Sequence, residues 1–243
     1  MITNSYKLKL LLLPALSILT SFSYSTPDIP SGHVVLQLGA YASNQGKKQH
    51  INIDGLIGDE FTIRQHTDTS GVVGLGYYFN TENKESTNVT YGLNAFYLAR
   101  TYVQGHVVQE NLFRNLSYKY HASHTPIYVM AKSLFTTQDP RYDLSLDVGI
   151  GPNFMKLDGF KEKSLDGMTI PDDIFSKNTF TTPSATLGLG VKFNQILPQN
   201  SLECGYRFFY LGKGHLKKQS PLVLNSLKTG TSYANAIMCS VSV

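Results

Sequence analysis

Apolar and polar positions change places every second residue along much of this chain. That is the period of a β-strand, whose side chains point alternately to two faces. In Tyr142–Asn153, Tyr142, Leu144, Leu146, Val148 and Ile150 fall on one side, against Asp143, Ser145, Asp147, Gly149 and Gly151 on the other. The same alternation predicts strands over 33–42, 71–80, 89–101, 185–193, 202–210 and 232–243. Leu116–Phe135 makes an eighth, but its apolar parity changes: Leu116, Tyr118, Tyr120 and Ala122 share one side, Ile127, Val129 and Ala131 the other. The switch predicts an extra residue absorbed as a β-bulge near Pro126, where a missing N–H is tolerated.

The segments between strands alternate in length. Thr81–Asn88, Thr136–Arg141 and Gln195–Asn200 are short, whereas Ser43–Ser70, 102–115, Leu157–Thr181 and Gly212–Lys228 are long. Ser43–Ser70 reads as an extended loop or a hairpin projecting past a membrane, and Pro171–Phe175 as one helical turn. Eight strands of about ten residues, with short links on one side and long ones on the other, predict an all-β, antiparallel, up-and-down transmembrane barrel. Its turns would be periplasmic and its long loops extracellular. A soluble sandwich has no reason to keep that asymmetry.

Composition changes this picture little: 15 Tyr, 13 Phe and 20 Gly with 16% charged residues suit strands and turns. The N-terminus adds a destination. Lys7 and Lys9, the apolar run Leu10–Leu19 and the small residues Ser23 and Ser25 have the order of a secretory signal peptide over 1–25. A periplasmic lead (26–32) and the barrel domain (33–243) follow. Removing the two lysines lowers the formal charge from +4 to +2, which gives no electrostatic case for nucleic acid.

The barrel reading sorts the chemistry. Gln37, Asn94, Lys132, Asp147, Lys192, Glu203 and Arg207 fall on the inward parity, either as a gated or proton-conducting path or as a packed polar lumen. In so narrow a barrel the packed lumen is favoured. The pairs Gly74/Gly76, Gly149/Gly151 and Gly188/Gly190 lie mid-strand, which suits room in a crowded lumen and not a phosphate loop. Tyr77, Tyr78, Phe79, Tyr91, Tyr97, Phe193, Tyr206, Phe208, Tyr210 and Tyr233 read as aromatic girdles. Cys204 and Cys239 share the outward parity on consecutive strands, so a disulfide is open to them in an oxidising periplasm. His121-Ala122-Ser123-His124 hints at hydrolysis but has no acidic orienter nearby in sequence; polar residues at the membrane rim are the favoured reading. The acidic residues of 158–173 lack calcium-loop spacing, and no metal or cofactor is expected.

From His33 to Val243 the chain resembles the small outer-membrane β-barrel families of Gram-negative bacteria, the class that includes the OmpA transmembrane domain, OmpW and the opacity-type surface proteins. LDVGIGPNF (146–154) and LECGYRFFYLG (202–212) carry the likeness beyond architecture, and Val243 departs from the aromatic residue with which members commonly end. The resemblance implies a non-enzymatic, monomeric barrel in the cell outer membrane. It would be surrounded by lipid and lipopolysaccharide and would meet host surfaces or envelope partners through its loops. Passage of small or hydrophobic solutes is the alternative it implies, and lipid modification through His121 and Ser123 the third.

Overall fold

The computed structural model describes residues 31–79, 88–194 and 201–243. The signal-peptide reading and the turns over 81–87 and 195–200 lie outside the described residues. Twelve strands are formed among the described residues: β1 (Gly32–Asn44), β2 (Gln49–Ile51), β3 (Asp59–Gln65), β4 (Thr67–Phe79), β5 (Asn88–Gln109), β6 (Phe113–Thr136), β7 (Tyr142–Ser164), β8 (Phe175–Ser176), β9 (Asn178–Phe193), β10 (Leu202–His215), β11 (Lys217–Lys218) and β12 (Lys228–Ser242). Eight of them close a ring. β1 pairs with β4, and pairing then runs through β5, β6, β7, β9, β10 and β12 back to β1, every pair antiparallel. Closure removes both sheet edges, so the strands of the ring have pairing partners on both sides without water. That is what a bilayer demands.

The lower part of the ring carries the alternation read from the sequence. Leu36, Leu38, Leu75, Leu93, Val129, Leu144, Val148, Ile150, Leu187, Leu189 and Ile237 project outward and stay exposed, Ile150 at 70%. Exposed aliphatic side chains on seven of the eight ring strands, with Tyr206 on β10, form an apolar belt suited to lipid. Inward on the same strands, Gln37, Asn94, Ser145, Asp147 and Arg207 are buried.

β5, β6 and β7 run for 22, 24 and 23 residues, about twice a membrane crossing. Their upper halves stand clear of the apolar belt and are joined there by the β2–β3 hairpin, β3 adding to β5 over Glu60–Gln65. Here the faces exchange character. Leu116, Tyr118, Tyr120 and Ala122 are buried inside the barrel with Phe61, Val103, Val107, Met155, Leu157, Phe160 and Phe175, while Lys119, Lys156, Lys161 and Lys163 point outward.

This corrects the bulge expected near Pro126. Even-numbered residues of β6 from Leu116 to Met130 face inward without interruption, so the strand keeps its phase. What changes is the surrounding solvent: Ile127 and Val129 meet the lipid level from outside, and Leu116–Ala122 fill a core above it. The extra residues sit on the neighbours instead. On β5, Leu98 opposes His124 and Thr101 opposes Ala122; on β7 the register slips between Lys119 and His121, next to Gly159 at φ 64°. The helical turn expected at Pro171–Phe175 is absent as well: 171–174 are irregular, Phe175 opens β8, and Asp173 takes φ 47°. Tyr78, expected in a girdle, is buried inside the lumen.

Candidate functional site

The lumen at the apolar-belt level is filled by a polar network. Arg207 on β10 grips Asp147 on β7 with two nitrogens, Nη1–Oδ1 at 2.8 Å and Nη2–Oδ2 at 2.9 Å, and its guanidinium lies 5.2 Å from the centre of the Phe96 ring. Lys132 on β6 pairs with Glu203 on β10, whose second oxygen accepts a hydrogen bond from Ser145 Oγ at 2.6 Å. Asn94 Nδ2 donates to Tyr78 Oη at 2.9 Å. Gln37 is buried alongside. Lys192 occupies the inward row at the lower end, half-buried, with Asp143 and Glu203 as cross-strand neighbours. Six of the seven expected lumen residues thus lie within one packed layer.

The inward glycines make room for this layer. A Cβ at Gly188 would stand 2.4 Å from Asp147 Oδ1, and one at Gly76 would stand 1.7 Å from Asn94 Oδ1. Beside Gln37, Asp147, Glu203 and Arg207 remains a cavity of about 20 Å³, space on the order of a single water. Above it Tyr41, Phe96, Tyr128, Phe209 and Leu211 stack inward, with Phe96 and Phe209 edge-to-face at 5.3 Å. A second apolar core continues to the outer end.

At that end four chain segments converge. Residues 52–58 follow β2, 110–112 turn β5 into β6, 165–174 leave β7, and 219–227 precede β12. Pairing ties the first to the last: Ile53 bridges Val223, Asp54 N donates to Leu222 O at 2.8 Å, and Asn225 Nδ2 donates to His50 O at 2.8 Å. Between the segments lies a cavity of about 670 Å³, with Ile53, Leu56, Phe113, Ile170, Ile174 and Leu222 among its walls. Its rim is apolar and open: Ile170 is 78% exposed, Phe113 64% and Leu56 61%. Asp59, Glu110, Glu162 and Asp172 supply its carboxylates.

Two of these carboxylates are perturbed. Burial pushes the Glu162 carboxyl up to about 7, against the hydrogen bonds its Oε2 accepts from the N–H groups of Asp172 and Asp173; the nearby carboxylates of both residues raise it further. Burial also raises Asp59, opposed by the N–H of Glu110 that it accepts. Neither residue was singled out from sequence as part of a mouth, because the cavity is assembled from segments up to about 170 residues apart.

The hydrolytic hint resolves into two faces. His121 and Ser123 point outward just above the apolar belt, while His124 is buried inside, its Nδ1 3.1 Å from Asn153 Nδ2. Asp158 lies across from His121 on β7, Oδ1 3.7 Å from Nδ1, and also takes Arg100 at 3.1 Å and Lys156 at 3.2 Å. Strand pairing thus supplies an acidic partner that sequence distance had hidden. Among the described residues no hydrogen bond joins Ser123 to His121. Cys204 and Cys239 sit opposite each other on β10 and β12 and are joined by a disulfide.

No family model matches the sequence, and no curated protein matches it. Solved structures do. OprG of Pseudomonas aeruginosa is 13% identical, with a TM-score of 0.49, covering 88% of this chain and 97% of its own. Neisserial surface protein A is 13% identical with a TM-score of 0.42, covering 86% and 96%. AlkL, solved in lipid bilayers, is 14% identical with a TM-score of 0.43, covering 92% and 95%. The chain is similar in fold to these small outer-membrane barrels.

Proposed function

We propose that this protein is a non-enzymatic outer-membrane barrel that binds a partner at its extracellular mouth, through the four segments that surround the 670 Å³ cavity. The observation that carries the reading is the exposed apolar rim of Leu56, Phe113, Ile170 and Leu222 at the outer end of an otherwise filled barrel. Exposed apolar side chains gathered on an aqueous surface mark a place where something docks. The tying of loop to loop lowers the ordering cost of docking. Passage of solutes is the weaker reading, because the Arg207–Asp147 layer and the aromatic stack above it pack the lumen with buried side chains.

Two measurements test this. Purified protein in planar bilayers gives no conductance steps above the empty bilayer; discrete steps would favour passage. Cells displaying the Leu56→Ser, Ile170→Ser, Leu222→Ser triple variant adhere to host-cell or matrix-coated surfaces several-fold less than wild type, at equal surface display. Equal adhesion would remove the mouth as the binding site.

A further inference from the structure

On the outside wall, next to the mouth and sharing Glu162 with it, the upper strands hold a row of cations that the mouth does not use. Lys119 on β6 stands directly across from Lys161 on β7, and Ser117 across from Lys163 one row up. On the other side Gln104 pairs with Lys119 and His106 with Ser117, and Arg64 of β3 completes the edge. These residues line a groove of about 230 Å³ across four neighbouring strands.

Like charges placed opposite each other on a sheet cost stability unless something between them carries the other sign. The protein supplies little of it. Lys161 reaches Asp173 at 2.6 Å, but among the described residues no carboxylate lies within ion-pair distance of Arg64, Lys119 or Lys163. Glu162, the carboxylate in the groove lining, spends its Oε2 on the N–H groups of Asp172 and Asp173. His106 turns into the same groove with its Nδ1 buried and lacking a hydrogen-bond partner. Burial, then the positive charge of Arg114 and Arg64, holds its imidazole below its usual range, and its unpartnered Nδ1 is a hydrogen-bonding group among cations. The row beneath differs: there Arg100 and Lys156 each reach a carboxylate of the protein itself, Asp158, at 3.1 and 3.2 Å.

We propose that this groove binds phosphate monoesters on the saccharide of neighbouring outer-leaflet lipopolysaccharide. The chemistry asks for a small, highly charged oxyanion, since a cluster of ammonium groups and a guanidinium around a hydrogen-bonding floor matches phosphate. The position selects the source. The groove faces sideways along the membrane plane, and Lys161 lies seven residues beyond Phe154, the outermost lipid-facing residue of β7, roughly 15 Å above the apolar belt at the rise and tilt of a barrel strand. That is the layer occupied by the sugars of adjacent glycolipid, above its acyl chains.

The test uses full-length protein refolded in detergent. Wild type is titrated with rough-type lipopolysaccharide, with the same lipopolysaccharide after chemical dephosphorylation, and with inorganic phosphate. The Lys119→Gln, Lys163→Gln double variant and the charge-keeping Lys119→Arg, Lys163→Arg variant are run beside it, each checked for folding by heat-modifiable gel mobility. Expected are a tenfold or greater loss of affinity on dephosphorylation, a similar loss in the glutamine variant, and recovery in the arginine variant. Equal binding of phosphorylated and dephosphorylated forms, or equal binding by wild type and the glutamine variant, overturns the proposal. Inorganic phosphate binding as tightly as the lipopolysaccharide would overturn the assignment to glycolipid and leave a site for free anion.

Discussion

The lower and upper halves of this barrel are built from the same strands yet are turned inside out with respect to each other. Below, Leu144, Val148 and Ile150 face out, and Asp147, Ser145 and Arg207 face in; above, Lys161 and Lys163 face out, and Met155, Leu157 and Phe160 face in. β7 crosses from one regime to the other near Phe154 and Met155 without losing its two-residue period. Strand geometry therefore does not decide which face is apolar. The medium outside does: hydrocarbon tolerates aliphatic side chains and makes a polar interior affordable, while water requires the reverse.

The comparison is sharpened most by removing one member of the lower polar layer. Asp147→Ala leaves Arg207 buried without its counter-charge and should cost about 3–5 kcal/mol, read as a lowered urea midpoint of folding into lipid vesicles. Phe61→Ala in the upper core should cost a comparable 3–5 kcal/mol or slightly less by cavity formation. It should be read locally, as faster proteolysis of the extracellular part with heat-modifiable mobility retained. If both variants unfold the whole barrel together, the two halves are one cooperative unit and the contrast drawn here is only chemical.

Next in size is a charge moved to the wrong face. Val148→Arg, at the lipid level, should cost about 2–4 kcal/mol in vesicles, whereas Lys163→Leu on the upper wall should change folding by less than about 0.5 kcal/mol. Similar costs for both would mean that lipid does not touch Val148.

The smallest expected effect is a pH dependence confined to the upper half. Glu162 has its folded value raised from 4.5 to about 7, so the folded state holds the proton more tightly than the unfolded chain. Its stabilisation is complete below about 4.5 and is lost as pH rises through 7. Protection of residues 165–174 from protease should thus increase on acidification from pH 8 to pH 5. Glu162→Gln should flatten that profile.

What could be read in the sequence follows from the same contrast. The eight ring strands, the inward set around Asp147 and Arg207, and the shared parity of Cys204 with Cys239 depend only on a period of two and on chain order. The upper halves of β5 and β7 read as loops in the sequence, because Asp158, Lys161 and Lys163 make 157–181 look like a solvated connection. Leu116–Ala122 suggested a bulge because apolar residues were assumed to keep one partner medium from end to end. Pro171-Asp172-Asp173 imitates a helix start, but Glu162 takes the N–H groups of Asp172 and Asp173, and Asp173 turns left-handed. The mouth cavity and the cationic groove depend on which strands become neighbours, and no local pattern encodes that.

The Cys204–Cys239 bond lies between the two final strands of the ring, in a pairing where residue 204 meets 239 and no other cysteine exists in the chain. A slip of one residue would turn every side chain of β12 to the opposite wall, carrying Ala234, Ala236 and Met238 into lipid. Once oxidised, that last hairpin cannot slide. A chain that meets an oxidant before it meets the membrane therefore reaches the bilayer with the alignment of its closing seam already decided.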